Sequence, residues 1–173
     1  LVPTDYFRRA ELPTKLVSTM DQIQVTGSHG ITVTADVSLD EVDPKKAAAV
    51  ILPGGLPGAT NLRDNPKVIE LIQAVNQNQQ IVAAICAAPI VLQKAGLLAG
   101  KTGTCYPGFE DELELAKWVP GVHRDENIIT GEGPAFAPYF AFEIIRAIIP
   151  HRLPALKSGL LMDDLNKYLG GNL

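Results

Sequence analysis

Cysteine is scarce in this chain: only Cys86 and Cys105 occur in 173 residues. Two cysteines do not make a disulfide framework, so free thiols in a reducing compartment are expected. A basic stripe is also missing, and the formal net charge is −4. That balance argues against nucleic acid or an anionic membrane as a partner. No apolar stretch reaches the roughly 20 residues that span a bilayer. The opening residues carry no charged-then-apolar leader. A cytoplasmic protein is the expectation. There is no Walker loop, no GxGxxG and no His/Cys/Asp/Glu cluster at metal-ligand spacing, so neither cofactor nor metal is expected. His29, His123 and His151 lie in polar or turn-like contexts, and none adjoins Cys86. Each reads as a surface residue rather than a general base.

The material for a core is plentiful, since 46% of the residues are hydrophobic. The length suits one domain over residues 1–173, with no linker, repeat or low-complexity tract. Residues 47–52 (AAAVIL) run apolar and break at Pro53-Gly54-Gly55, as a strand buried on both faces does. Asn65-Pro66 opens a helical pattern with Val68, Ile69, Leu71, Ile72 and Val75 on one face. Residues 80–85 (QIVAAI) predict a second buried strand, ending at Cys86. A helix over 87–95 follows and stops at Gly96, a C-cap residue. Two more β runs, 102–106 and 127–130, end in Gly/Pro turns, and a helix over 135–149 is closed by Pro150. Residues 31–37 alternate like a half-exposed strand near an edge. A last helix after His151 is expected to bury Leu156, Leu160, Leu161 and Leu165. Strands alternating with helices in this way predict an α/β doubly wound, mostly parallel sheet.

Ligands of such sheets bind outside the carboxyl ends of the strands. The strand end at Cys86 carries the chemistry. Its neighbours Ala84, Ala87 and Ala88 are small enough for a tight strand-to-helix elbow, and Pro89 suits the first helical turn. A helix N-terminus carries roughly half a positive charge and unpaired N–H groups, both of which favour a sulfur anion. The N–H groups of Ala87 and Gly55 are placed to face a developing oxyanion. The plainer reading makes Cys86 a small buried hydrophobe. The elbow, the small flanks and the Gly54-Gly55 turn together weigh against it. For Cys105, inside a β run, the core reading stands. Glu110, Asp111, Glu112 and Glu114 read as a solvated face.

These residues resemble the ThiJ/PfpI superfamily, in the branch of the Parkinson-associated deglycase. The likeness runs over nearly the whole chain: residues 5–10 (DYFRRA), 52–55 (LPGG) with 58–62 (GATNL), 104–108 (TCYPG) and 129–134 (ITGEGP). The most specific stretch is 83–89 (AAICAAP). The resemblance implies a flavodoxin-like three-layer sandwich, a homodimer, and Cys86 as nucleophile or redox-sensing thiol with Gly55 and Ala87 as backbone donors. It also implies cofactor-free conversion of methylglyoxal to lactate, repair of glycated groups, or protection against oxidative stress. Peptidases of the superfamily carry His directly after the nucleophile, whereas here that place is Ala87, so peptidase activity is not expected.

Three departures from the family pattern stand out. Members often have Ser-Arg-Gly-Pro-Gly-Thr where this chain has GEGPAF over 131–136. Glu132 thus replaces a cation, and Phe136 fills space near the site. Tyr106 stands where the human member has His. The family's first strand, with the glutamate beside the thiol, would precede Leu1, so a vacant strand position is expected in the sheet. Three functions stay open: an enzyme acting on small reactive carbonyls, a sensor in which Cys86 oxidises to sulfinate, and a chaperone-like dimer with an incidental thiol.

Overall fold

The computed structural model describes residues 1–170. Among these residues the α-helices are α1 (Val2–Arg9), α2 (Gly58–Arg63), α3 (Pro66–Gln77), α4 (Pro89–Lys94), α5 (Ala137–Ile148), α6 (Leu153–Gly159) and α7 (Met162–Tyr168). The principal sheet runs β5 (Ala49–Leu52), β6 (Ile81–Ile85), β10 (Ile128–Gly131), β9 (Val122–Asp125). Its first three strands are parallel and β9 is antiparallel at the edge. Short pairs lie outside it: β1 (Val17–Ser18) with β4 (Val37–Ser38), β2 (Gln24–Thr26) with β3 (Thr32–Thr34), and β7 (Thr102–Gly103) with β8 (Lys117–Trp118). Among the described residues no helix is long and apolar enough to cross a membrane.

β6 is the spine. All five of its residues are buried, because it has a strand on each side and helices on both faces. Its alternating side chains divide the core. Val82 and Ala84 pack with α2, α3 and α4 through Ala59, Ile72, Val75 and Val91. Ile81, Ala83 and Ile85 face the other way, toward Phe7 of α1 and Phe140, Ile144 and Ile145 of α5. The two helical layers enclose a parallel-dominated sheet, the doubly wound arrangement the sequence pattern predicts and the flavodoxin-like three-layer sandwich the resemblance implies. α3 begins where Asn65 accepts a bond from the Lys67 N–H at 3.0 Å, with Pro66 in its first turn. Val68, Ile72 and Val75 form its buried stripe.

The structure corrects several expectations. The 47–52 run is not fully buried: Val50 packs on one helical layer and Ala49 and Ile51 on the other, yet all three are only half-buried. β5 pairs with β6 alone among the described residues, so its outer edge is open. β5 and β6 hydrogen-bond directly, and the open edge lies on the other side of β5. Only two residues of 102–106 join a strand ladder. The Thr104 N–H donates to the Thr130 hydroxyl at 3.0 Å and the Tyr106 N–H to the Cys86 carbonyl at 2.9 Å, so the segment peels away. The 31–37 run divides between β3 and β4, both outside the main sheet. The single last helix is two helices, broken at Leu161 with φ +56; Leu156 is buried, but Leu161 and Leu165 are exposed. β9, polar and four residues long, had no apolar pattern to betray it.

Phe140 is fully buried, and its ring contacts the site a Gly131 side chain would occupy, 3.1 Å away. Phe140→Ala is expected to destabilise the fold by about 3–5 kcal/mol, by lost burial plus the cavity left behind. Urea unfolding reads this as a lower midpoint at unchanged slope. A loss below about 1 kcal/mol would contradict this packing.

Candidate active site

Small residues on both sides of Ile85 and Cys86, namely Ala83, Ala84, Ala87 and Ala88, allow one sharp reversal. Ile85 is the last strand residue, Cys86 has φ +65, and α4 begins at Pro89. A left-handed conformation at a non-glycine residue costs on the order of 1–3 kcal/mol and persists only where surroundings fix it. Three contacts fix it here. The Cys86 N–H donates to the Gly131 carbonyl at 2.8 Å, at the end of β10. The Cys86 carbonyl accepts from the Tyr106 N–H at 2.9 Å. Gly54, after β5, lies so close that a Cβ there would stand 2.6 Å from the Cys86 Cβ, 2.7 Å from the Ile85 carbonyl oxygen and 2.9 Å from the Ala87 nitrogen.

Gly54 and Gly55 answer different demands. Gly54 supplies space. Gly55 has open space around it but φ +87, a conformation that favours glycine. The sequence marks the Gly54-Gly55 turn but gives a site role to Gly55 alone, and the close approach at Gly54 is added by the structure. Among the described residues, the N–H groups of Gly55 and Ala87 donate to no backbone carbonyl. Both belong to loops that meet at Cys86.

The two thiols differ sharply. Cys86 is half-buried and packs beside the α1/α5 layer, whereas Cys105 is 4% exposed in the α3/α4 layer on the opposite face of the sheet. Burial, reinforced by Glu110, pushes the Cys105 thiol up to about 12. Its Sγ–H donates to the Tyr106 carbonyl at 3.2 Å. The core reading of Cys105 follows from that environment.

The other candidate residues lie differently. The Glu132 carboxylate accepts from the Gly121 N–H at 2.7 Å while its own N–H donates to the Gly121 carbonyl at 2.8 Å, a reciprocal clasp across the β9–β10 edge. Phe136 packs against Gly121, 3.4 Å from where a Cβ would sit. Tyr106 is exposed and its ring lies against Gly133. His29 and His151 are exposed; His123 pairs with Thr130 across β9 and β10. Glu110, Asp111 and Glu112 form an exposed 3-10 turn, with Glu110 accepting from the Gly108 N–H at 2.6 Å.

Gly54→Ala is expected to move the Cys86 turn, because the atoms in its way are backbone or Cβ and cannot swing aside. Stability should fall by about 1–3 kcal/mol, and the Cys86 alkylation rate should change with it. Gly58→Ala, with nothing within 4 Å and a helical position, is the control and should stabilise slightly. Equal behaviour of the two variants in thermal unfolding would refute the close approach.

Comparison with known proteins agrees with this geometry. The model of the DJ-1/PfpI family matches residues 1–147. The Parkinson disease protein 7 homolog of Danio rerio is 31% identical over 170 residues, which cover 95% of this chain and 90% of that protein. A deglycase of Pyrococcus abyssi is 38% identical over 122 residues, 69% of this chain and 73% of that one. The crystal structure of Drosophila melanogaster DJ-1beta superposes with a TM-score of 0.87 at 32% identity, covering 92% of this chain and 88% of that one. A family match over most of the chain, joined to relatives above 30% identity along nearly their whole lengths, makes this chain a member of the DJ-1/PfpI family.

Proposed function

We propose that this protein is a cofactor-free, cysteine-dependent enzyme of the deglycase or glyoxalase kind, acting on small reactive aldehydes through Cys86. The observation that carries the proposal is the left-handed turn at Cys86, packed against Gly54, with backbone N–H groups that have no carbonyl partner on the residue after each, Ala87 and Gly55. Strain of this kind concentrates at functional sites. A strained strand-to-helix elbow presents its side chain outward, at the carboxyl end of the sheet where α/β ligands bind.

The chemistry needs no external oxidant. The Cys86 sulfur adds to the aldehyde carbon of a 2-oxoaldehyde, and the carbonyl π pair moves to oxygen. The N–H groups of Ala87 and Gly55 stabilise that oxyanion. Protonation gives a hemithioacetal. Removal of the proton on the former aldehyde carbon and delivery of a proton to the adjacent carbon, through an enediol, leave a thioester and a new alcohol. Water cleaves the thioester, releasing a 2-hydroxy acid and the thiol. One carbon is oxidised as its neighbour is reduced, so methylglyoxal plus water gives lactate. The same reading takes the protein as a cytoplasmic homodimer.

A second reading, a redox sensor, is favoured by one observation: the accessible thiol and the buried one lie on opposite sheet faces. Oxidation would then stop at Cys86 as a sulfinate held by the same N–H groups.

Wild-type protein should convert methylglyoxal to lactate, and Cys86→Ala should lose about 100-fold or more of that activity, as removal of a covalent nucleophile does. Peroxide-dependent sulfinate at Cys86 without any turnover would establish the sensor instead.

Timed iodoacetamide labelling with peptide mapping should modify Cys86 well before Cys105 at neutral pH. Cys105 also gives a pH signature. Its folded pKa is raised from an ordinary value near 9.0 to about 12, so the folded state resists forming the thiolate. The resulting stability is present below about pH 9 and is lost as pH climbs toward 12. Cys105→Ala should flatten that alkaline slope in urea midpoints. An unchanged slope, or faster labelling of Cys105, would contradict its environment.

A further inference from the structure

The two loops that touch Cys86 each end in an exposed apolar side chain, and the reaction proposed above gives neither of them a role. On the β5 side, Gly54 abuts the Cys86 Cβ, and two residues on Leu56 is 51% exposed. On the β7 side, the Tyr106 N–H holds the Cys86 carbonyl, and the Tyr106 side chain is 46% exposed. Its ring is seated on Gly133, where an added Cβ would lie 3.5 Å from Cδ2. One face of the tyrosine is therefore backed by glycine backbone. Neither residue joins the two core clusters.

We propose that Leu56 and Tyr106 are specificity-determining walls on either side of Cys86, and that the preferred substrate is a reactive carbonyl compound bearing a flat apolar group. Exposed apolar side chains scattered singly need no explanation. Here both sit on loops that meet at one strained residue: Tyr106 is bonded to Cys86 through its own N–H, and Leu56 lies two residues past Gly54, which abuts the Cys86 Cβ. The contacts to Cys86 are made by the main chain of the loops, so the side chains contribute nothing to holding the turn. A flat group entering between them gains burial from Leu56 and offset stacking on the tyrosine ring. An aldehyde with only a methyl group gains little from either wall.

This inference rests on Cys86 being the reacting thiol, and the test separates the two ideas. Second-order rates of Cys86 labelling by iodoacetamide and by its N-phenyl derivative are measured by peptide mapping, with glutathione as the free-thiol reference. Using the phenyl-to-plain ratio cancels any general change in Cys86 reactivity. In the wild type that ratio should exceed the glutathione ratio by about 2–10-fold, the range expected for an aromatic contact. Tyr106→Ala and Leu56→Ala should each bring it back toward the glutathione value. A wild-type ratio equal to that of glutathione would overturn the proposal, as would a raised ratio that both variants retain. In turnover, kcat/KM for phenylglyoxal relative to methylglyoxal should fall in the same two variants. Selective labelling without turnover of either aldehyde would refute the enzymatic reading and leave the walls standing. Turnover with a ratio untouched by either variant would refute the walls and leave the enzyme.

Discussion

The left-handed conformation at Cys86 is the constraint on which the surrounding architecture depends. Its backbone takes a bond from each direction: its N–H reaches Gly131 at the end of β10, and its carbonyl holds the Tyr106 N–H after β7. The third side is closed by Gly54 after β5. Four strands therefore deliver their carboxyl ends to one residue. None of those contacts uses a side chain, so the geometry is set by main-chain register. Ala84, Ala87 and Ala88 are buried around it, and a larger residue at any of them would push the strand and helix apart. That is the physical reason for the alanines that flank Ile85 and Cys86.

The same strand separates the two thiols. Along β6 successive side chains face opposite layers, and the reversal at Cys86 leaves it with the α1/α5 side. Cys105 reaches the other side because its neighbours spend their N–H groups on Thr130 and Cys86 instead of continuing a ladder. One cysteine is half-open at a strained turn and the other is enclosed in apolar packing. Their chemistry diverges through environment alone, since the residue type is identical.

Much of this was legible in the sequence. The 80–85 run, the Asn65-Pro66 helix start and the helix stopped by Pro150 appear where periodicity and capping chemistry place them, because those signals are local. Cys86 at a strand-to-helix reversal followed from its flanking alanines and Pro89. Signals that depend on neighbours misled. An apolar run looks the same whether one or two strands flank it, so the 47–52 run read as fully buried although β5 has an open edge. Leu161 and Leu165 continued a leucine spacing that a single left-handed residue interrupts. Gly54 and Gly55 read as one turn, with only Gly55 given a role at the site, because a glycine needed for space leaves no mark that separates it from one needed for its dihedral angles.

That distinction bears on how the site divides its labour. Gly54 cannot gain a side chain without collision, and Gly55 occupies backbone space that favours glycine. The Cys86 turn admits little displacement, since its N–H and carbonyl are both committed. The frame around the sulfur is thus made of backbone and small residues that tolerate almost no change. Discrimination between ligands must then come from side chains attached to the frame but not supporting it. Leu56 and Tyr106 meet that description: exposed, adjacent to the frame, and free of core contacts. Glu132 and Phe136 do not, because both are engaged with Gly121 on the β9 side. A rigid frame with replaceable walls allows the ligand to change while the thiol's setting stays fixed.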